Sequence, residues 1–251
     1  MTPTDPTTLS LAALSAAVRE LRIHDVSPTL GPQTPMFFAH PAPRVTPMTD
    51  HATHGVATNV LEVHEHAGTH VDAPFHFDPN GLTIDAVPAE ALFLRPFKKF
   101  DVSIDDPQPG EPVEVGQLIA AAERAGIVLE DGDVAIVEFG WDRYLPGRPD
   151  APDPSWWGSN QPGLSEAACD YLATAGISAV ASDTPACDVS VRDGEMVAGF
   201  GHSTYFLPNG ILIVEGLCGL AAVPTTGLLA ALPLKVAGGT GSPLRVLLLT
   251  S

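Results

Sequence analysis

Two helix-strand units in the middle of the chain constrain the fold most strongly. Residues 116–126, GQLIAAAERAG, carry apolar side chains at helical spacing and end on glycine, and residues 131–139, DGDVAIVEF, follow as a turn and a buried strand. The pattern then repeats, since residues 164–176, LSEAACDYLATAG, offer Ser165 as an N-cap and residues 177–183, ISAVASD, form a second strand. Helices that alternate with buried strands are typical of an α/β fold. We therefore predict a mixed β-sheet core flanked by helices.

The remaining patterns extend this prediction to both ends of the chain. The apolar run that starts at Leu9 predicts an N-terminal helix at about residues 7–22. Alternation predicts strands at 59–66, NVLEVHEH, where His66 comes at the strand end, and at 210–217, GILIVEGL. Residues 224–232, PTTGLLAAL, read as a helix, and residues 243–249, PLRVLLL, as a final strand.

Length and composition favour one domain and exclude several kinds of partner. The 251 residues fit a single domain, residues 1–251, because no repeat and no polar linker divides them. The 25 prolines and 23 glycines predict long ordered loops, the longest at 142–163. A formal charge of −18, without any basic cluster, argues against nucleic acid and anionic membranes as partners. Three unpaired cysteines and the absence of a long apolar run predict a cytoplasmic protein.

Residues 66–76, HAGTHVDAPFH, concentrate four candidate metal ligands in eleven residues. Imidazole and carboxylate are ligands for zinc, manganese or iron, and a site needs three or four of them within a short reach. Gly68 permits a tight turn between His66 and His70, and in an extended segment His70 and Asp72 point the same way. A histidine-rich surface loop is the alternative, but the small and apolar neighbours of these donors favour a buried site.

The same stretch resembles the HxGTHxDxPxH signature of the cyclase family at all seven fixed positions. That family includes bacterial kynurenine formamidases, isatin hydrolases and related metal-dependent amide and lactone hydrolases. The resemblance continues at residues 138–141, at 183–188, and in GHSTYFLPNGILIVEGL, which contributes His202 and Glu215. It implies a swivelling β/β/α-type fold and a dimer or tetramer of identical subunits, and it does not cover the N-terminal helix.

The resemblance also implies a division of roles among these residues. His66, His70 and Asp72 would bind a first metal ion, and Asp72 would bridge to a second one held by His202 and Glu215. Family members differ between one manganese and two zinc ions, so Zn²⁺ or Mn²⁺, as one ion or two, is expected. His76 would act as the acid or base beside hydroxide held at the metal, a role that suits a side chain titrating near neutrality.

The predicted activity is hydrolysis of an amide, imide or lactone bond in a small, cyclic or aryl-linked substrate. Candidate substrate-binding residues are Phe37, Phe75, Trp141 and Tyr205, although aromatic residues at core positions have the same sequence pattern. One alternative keeps the metal but uses it for cyclisation or dehydration in a polyketide-type pathway. Another is a non-catalytic metal-binding or ligand-binding protein, against which His76 argues because it lies beyond the three-ligand cluster.

Overall fold

A computed structural model of the protein describes residues 10–153, 155–192, 195–197 and 199–251. The α-helices in these ranges are α1 (Leu11–Glu20), α2 (His51–His54), α3 (Val115–Ala125), α4 (Trp156–Ser159) and α5 (Glu166–Thr174). The strands there are β1 (Arg22–Asp25), β2 (Arg44–Thr49), β3 (Thr58–Glu62), β4 (His70–Asp72), β5 (Phe93–Asp101), β6 (Pro112–Val113), β7 (Val134–Glu138), β8 (Gly163–Leu164), β9 (Ala179–Ser182), β10 (Val191–Arg192), β11 (Glu195–Met196), β12 (Leu212–Glu215), β13 (Thr226–Ala231), β14 (Gly241–Pro243) and β15 (Val246–Thr250).

Nine of these strands form one mixed sheet in the order β1-β15-β13-β5-β7-β9-β12-β4-β14. Strands β5, β7, β9 and β12 run parallel at its centre, and every strand outside them pairs antiparallel with its neighbours. The mixed α/β sheet predicted from the sequence is therefore confirmed. The carboxyl ends of β9 and β12 meet on one edge of this parallel core, and that edge holds the candidate site described below.

Alternation along the central strands divides the core into two layers. Ala135 and Val137 of β7 face one layer, to which Leu118 of α3 and Leu172 of α5 also belong. Val134 and Ile136 face the other layer, where loops and short turns cover the sheet. Because successive strand residues point to opposite faces, a strand buried on both faces needs the near-continuous apolar sequence seen here.

The two predicted helix-strand units are present with the predicted boundary signals. Ser165 caps α5, and its hydroxyl oxygen accepts a hydrogen bond from the Ala168 N–H at 3.2 Å. Gly126 ends α3 in the left-handed conformation, with φ +63°. The predicted N-terminal helix is present as α1, and residues before 10 lie outside the described part of the chain.

Two predictions differ from the structure. Residues 224–232 contain β13 instead of a helix, because this segment pairs with both β5 and β15 and so completes the sheet. A Cβ at Gly227 would lie 2.3 Å from the Leu249 carbonyl oxygen, so the close approach of β15 requires a glycine. The strand predicted at 59–66 ends at Glu62, and residues 63–69 form a turn that carries His66.

Strands β2 and β3 form a separate two-stranded hairpin on which no strand residue is buried. Met48 and Leu61 on this hairpin are more than 60% exposed. An isolated hairpin gains little stability from its own contacts, so an exposed apolar hairpin favours a partner surface. Among the described residues, none of the helices has the length and apolar character needed to cross a bilayer.

Candidate active site

Strand β4 carries two of the candidate ligands and lies between β12 and β14. His70 is paired with Glu215 of β12, and Asp72 is paired with Ile213 of β12 and with Gly241 of β14. Residues directly opposite one another in an antiparallel pair share a face, so His70, Asp72 and Glu215 project from the same side of the sheet. The alternation seen in the sequence is the local reason that His70 and Asp72 point the same way.

A glycine turn before β4 fixes the orientation of the His70 ring. Gly68 has φ +60°, and its carbonyl oxygen accepts a hydrogen bond from His70 Nδ1 at 2.9 Å. Gly216 approaches so closely that a Cβ there would lie 2.5 Å from the Gly68 oxygen. With Nδ1 donating to a carbonyl, His70 turns Nε2 towards the site.

His202 reaches the site from the π-helical turn Gly201–Tyr205. Its Nδ1 lies 3.0 Å from Asp188 Oδ1, and its backbone N–H donates to Asp188 Oδ2 at 3.0 Å. A Cβ at Gly199 would lie 2.4 Å from the Asp188 carboxylate oxygens, so glycine there leaves room for that carboxylate. Asp188 therefore holds both the backbone and the ring of His202, with Nε2 turned to the site.

Four side chains form a closed ring of short contacts at the centre of the site. His70 Nε2 lies 3.4 Å from Asp72 and 3.3 Å from Glu215, and His202 Nε2 lies 3.4 Å from Asp72 and 3.3 Å from Glu215. The backbone N–H of Cys187 donates to Glu215 Oε1 at 2.9 Å and so orients that carboxylate. All four side chains are buried.

Charge inside this ring is reflected in the pKa values of its members. Burial alone would lower the pKa of His70, but hydrogen bonds to Asp72 and Glu215 and their negative charges raise it to about 10. Burial would also lower the pKa of His202. The carboxylates of Asp188, Asp72 and Glu215 outweigh burial and raise this pKa well above its usual range. Although burial favours its neutral form, neighbouring imidazoles hold the pKa of Asp72 well below its usual range. Buried carboxylates at this density favour a cation among them.

The ring also has the dimensions of a metal site. The contacts of 3.3–3.4 Å use both oxygens of each carboxylate, since one oxygen of each faces His70 and the other faces His202. Single nitrogen or oxygen atoms of His70, Asp72 and Glu215 lie within 4.8 Å of one another, close enough to bind one ion. Within the described residues, no lysine or arginine forms an ion pair with Asp72, Glu215 or Asp188. The donor set therefore fits a divalent metal ion.

His66 and His76 form a second group beside this ring and share Asp72 with it. His66 Nδ1 lies 2.6 Å from Asp72 Oδ1, and the ring of His76 stacks on that of His66 at a centroid distance of 4.1 Å. Single nitrogen or oxygen atoms of His66, Asp72 and His76 lie within 4.8 Å of one another. Burial lowers the pKa of His76 to about 4, so its imidazole is neutral at pH 7.

A cavity of about 420 Å³ opens onto both groups. One wall consists of the ligand-type side chains, and the other is apolar, formed by Phe37, Phe77, Pro185, Ala186, Met196 and Val197. No lysine or arginine is among the described residues that line it. The cavity therefore suits a small uncharged molecule with an apolar ring.

The structure brings the predicted ligands together and separates the predicted substrate-binding residues. The cavity is bordered by all six predicted ligand and catalytic residues: His66, His70, Asp72, His76, His202 and Glu215. His70 Nε2 lies 3.4 Å from Asp72 and 3.3 Å from Glu215. Of the aromatic candidates, Phe37 lines the cavity. Trp141 is fully buried in the core, Tyr205 donates to Glu166 at 3.1 Å, and Phe75 does not line the cavity.

Several residues of the site were missed by the sequence analysis. Asp188 was noted only as part of a family segment, and Phe77, Met196 and Val197 carry no signal in their local sequence. His40 was given no role, yet it lines the cavity and its ring stacks on that of His64 at 4.2 Å. Each of them reaches the site through tertiary contacts, and the only sequence signal was the family segment at 183–188, which contains Asp188.

Comparison with known proteins gives a consistent result. The family described as "Putative cyclase" matches residues 24–189. Kynurenine formamidase from Salinibacter ruber is 31% identical over 188 residues, 75% of this chain and 77% of that protein. Isatin hydrolase from Roseibium aggregatum is 27% identical over 244 residues, 92% of each chain. A crystal structure of an isatin hydrolase bound to the product analogue thioisatinate superposes with a TM-score of 0.81 at 25% identity, covering 96% of this chain and 97% of that one. The chain therefore belongs to the cyclase family of metal-dependent hydrolases.

Proposed function

We propose that this protein hydrolyses an amide, imide or lactone bond in a small, uncharged substrate that is cyclic or linked to an aryl ring. The observation that carries the proposal is the ring of His70, Asp72, His202 and Glu215, which borders an apolar cavity. The kynurenine formamidase and isatin hydrolase relatives, whose names describe hydrolysis of C–N bonds, support the same reaction class.

His70, Asp72, His202 and Glu215 would hold a divalent metal ion, Zn²⁺ or Mn²⁺. His66, which contacts Asp72 from beside the ring, would add a further ligand. A second ion is compatible with this arrangement, because Asp72 contacts His66 through Oδ1 and His202 through Oδ2. A bound ion of this kind supplies Lewis acidity and lowers the pKa of a water ligand towards about 7.

His76 would move the proton during the reaction. Its imidazole borders the cavity and is neutral at pH 7, so a ring nitrogen can accept a proton from attacking water and return it to the leaving nitrogen or oxygen. The stacked His66 ring fixes the plane of His76. Phe37 and Phe77 would hold an aryl group of the substrate against the apolar wall.

The described residues that line the cavity include no lysine or arginine, and this disfavours a negatively charged substrate. A substrate carboxylate would enter this cavity without an ion-pair partner and face two buried carboxylates. We therefore expect isatin, cyclic imides and uncharged N-formyl aryl amines to react faster than N-formyl aryl amines that carry an amino-acid group.

The direct test combines metal analysis of the purified protein with turnover of that substrate panel, in water labelled with ¹⁸O. Hydrolysis places one solvent oxygen in the product, whereas cyclisation or dehydration does not. His76→Ala should keep its metal and lose activity by about 10²–10⁴-fold. His51→Ala, an exposed histidine on α2, is the matched control and should keep both. A protein without metal, or a His76→Ala variant with unchanged turnover, would contradict the proposal.

We also propose a homodimer in the cytoplasm and a single domain over the whole chain. The exposed β2–β3 hairpin, with Met48 and Leu61 on its surface, is the feature that favours a second subunit. All three cysteines are free thiols, as expected in a reducing compartment. Light scattering of the wild type and of a Met48→Glu, Leu61→Glu variant tests the dimer, which the variant should weaken.

A further inference from the structure

Thr240 links the candidate ligand His66 to a glutamate that the site does not otherwise use. The Thr240 hydroxyl oxygen lies 2.9 Å from His66 Nε2 and 2.6 Å from Glu65 Oε2. The backbone N–H of Thr240 also donates to Glu65 Oε2, at 3.0 Å. Glu65 thus contacts Thr240 twice and reaches His66 only through the hydroxyl group.

The number of protons in this chain of contacts decides their direction. An ionised carboxylate can only accept a hydrogen bond, and a threonine hydroxyl has a single proton to donate. The hydroxyl proton therefore goes to Glu65, and the Thr240 oxygen is left to accept a hydrogen bond from His66. His66 must then carry a proton on Nε2. The opposite ring nitrogen, Nδ1, faces Asp72 Oδ1 at 2.6 Å, where by the same rule it donates a proton to the carboxylate, and a metal ion bound there would replace that proton.

The backbone on both sides of Thr240 is shaped to permit these contacts. A Cβ at Gly239 would lie 2.8 Å from Glu65 Oε1, and a Cβ at Gly241 would lie 2.8 Å from His66 Cε1. Any larger residue at these two positions would push away Glu65 or the His66 ring. Both glycines are buried, and Gly241 is paired with Asp72 in the sheet, so the arrangement is held by the fold.

We propose that Glu65 and Thr240 form a positioning relay that fixes the tautomer of His66, so that Nδ1 is the atom available to a metal ion. The proposal rests on the proposed function only in taking His66 as a metal ligand. His70 and His202 have the opposite arrangement, because Gly68 O and Asp188 each accept from Nδ1 and leave Nε2 facing the site. The site would therefore contain histidines bound through different ring nitrogens, each orientation being set by a different acceptor.

The test uses Thr240→Val, which keeps the shape of threonine and removes its hydroxyl group. Long-range ¹H–¹⁵N spectra of the zinc-loaded protein distinguish protonated from unprotonated ring nitrogens, and a His66→Asn spectrum assigns the His66 signals. In the wild type we expect a proton on Nε2 and none on Nδ1. In Thr240→Val we expect a mixed or reversed pattern, with zinc affinity lowered by about 10–100-fold in competition with a chromophoric chelator.

Two further variants separate the relay from a purely structural effect. Thr240→Ser restores the hydroxyl group and should restore both the spectrum and the affinity. Ser242→Ala removes a hydroxyl group two residues further along the chain and should change neither. Ser242 accepts from the Leu234 N–H and donates to the Pro243 carbonyl oxygen, and it forms no hydrogen bond with a described histidine.

The proposal is overturned if the wild-type spectrum shows His66 Nε2 without a proton, or if Thr240→Val leaves spectrum and affinity unchanged. It is also overturned if Ser242→Ala lowers the affinity as much as Thr240→Val does. Neither readout requires turnover. If no substrate of the panel is hydrolysed while Thr240→Val shifts the tautomer and weakens zinc binding, the relay is supported and the proposed reaction is not.

Discussion

Asp188→Asn should weaken metal binding indirectly, because Asp188 orients the candidate ligand His202. Asp188 accepts from the His202 backbone N–H at 3.0 Å, from His202 Nδ1 at 3.0 Å and from the Ser190 hydroxyl at 2.7 Å. An asparagine offers one acceptor oxygen and one amide nitrogen in the same space. The amide oxygen can keep the backbone contact, so the amide nitrogen faces His202 Nδ1.

This exchange favours the wrong tautomer of His202. A donating amide nitrogen requires Nδ1 to accept, which moves the ring proton to Nε2, the atom that lies 3.3 Å from Glu215. The net loss is one hydrogen bond to a charged group, about 1.5–3 kcal/mol. At 1.36 kcal/mol for each tenfold change, that loss corresponds to about 10–150-fold in metal affinity, consistent with the usual effect of altering a residue behind a metal ligand.

Chelator competition with zinc or manganese measures this affinity, and denaturant unfolding of the metal-free variant controls for general damage. Ser190→Ala is a matched control, because it removes the third contact of Asp188 and leaves both contacts to His202. Metal affinity within twofold of the wild type in Asp188→Asn would refute the reasoning. Equal losses in Ser190→Ala and Asp188→Asn would refute it as well.

Three more predictions address the site and the fold around it. Asp72→Asn should lose most of its metal, because Asp72 contacts both His70 and His202 in the ring, and metal analysis after dialysis checks this. Phe77→Ala should raise KM for aryl substrates more than it lowers kcat, because the ring forms part of the apolar wall, and steady-state kinetics separate the two effects. Asp183→Asn tests a pH dependence: burial, with the charges of Asp142 and Glu138, raises the pKa of Asp183 to about 7, so the folded protein binds this proton more tightly than the unfolded chain does. Asp183 therefore makes the free energy of unfolding fall by about 2 kcal/mol between pH 5 and pH 7. Urea unfolding of the metal-free Asp183→Asn variant should show a correspondingly flatter pH profile. An equal slope in the variant and the wild type would contradict the assignment.

The sequence predicted those parts of the fold that depend on neighbouring residues. The units around α3 and α5 were predicted with their caps, because Ser165 and Gly126 act on the backbone beside them. Residues 224–232 were predicted wrongly, because a short run of leucine and alanine fits a helix or a buried strand equally well. The pairing of β13 with β5 and β15 decided between them, and that pairing joins segments far apart in the chain.

The candidate site divides in the same way. By itself, the sequence determined the candidate ligand types in residues 66–76, their alternation along β4 and the family to which the chain belongs. Only the tertiary structure decided that Glu215 lies opposite His70, that Trp141 belongs to the core, and that Asp188 and Thr240 set the orientation of His202 and His66. The physical reason is that residue type and spacing fix which atoms can bind a metal and which way a strand directs them, whereas the hydrogen-bond acceptor behind each imidazole comes from another segment, brought there by the register of the sheet.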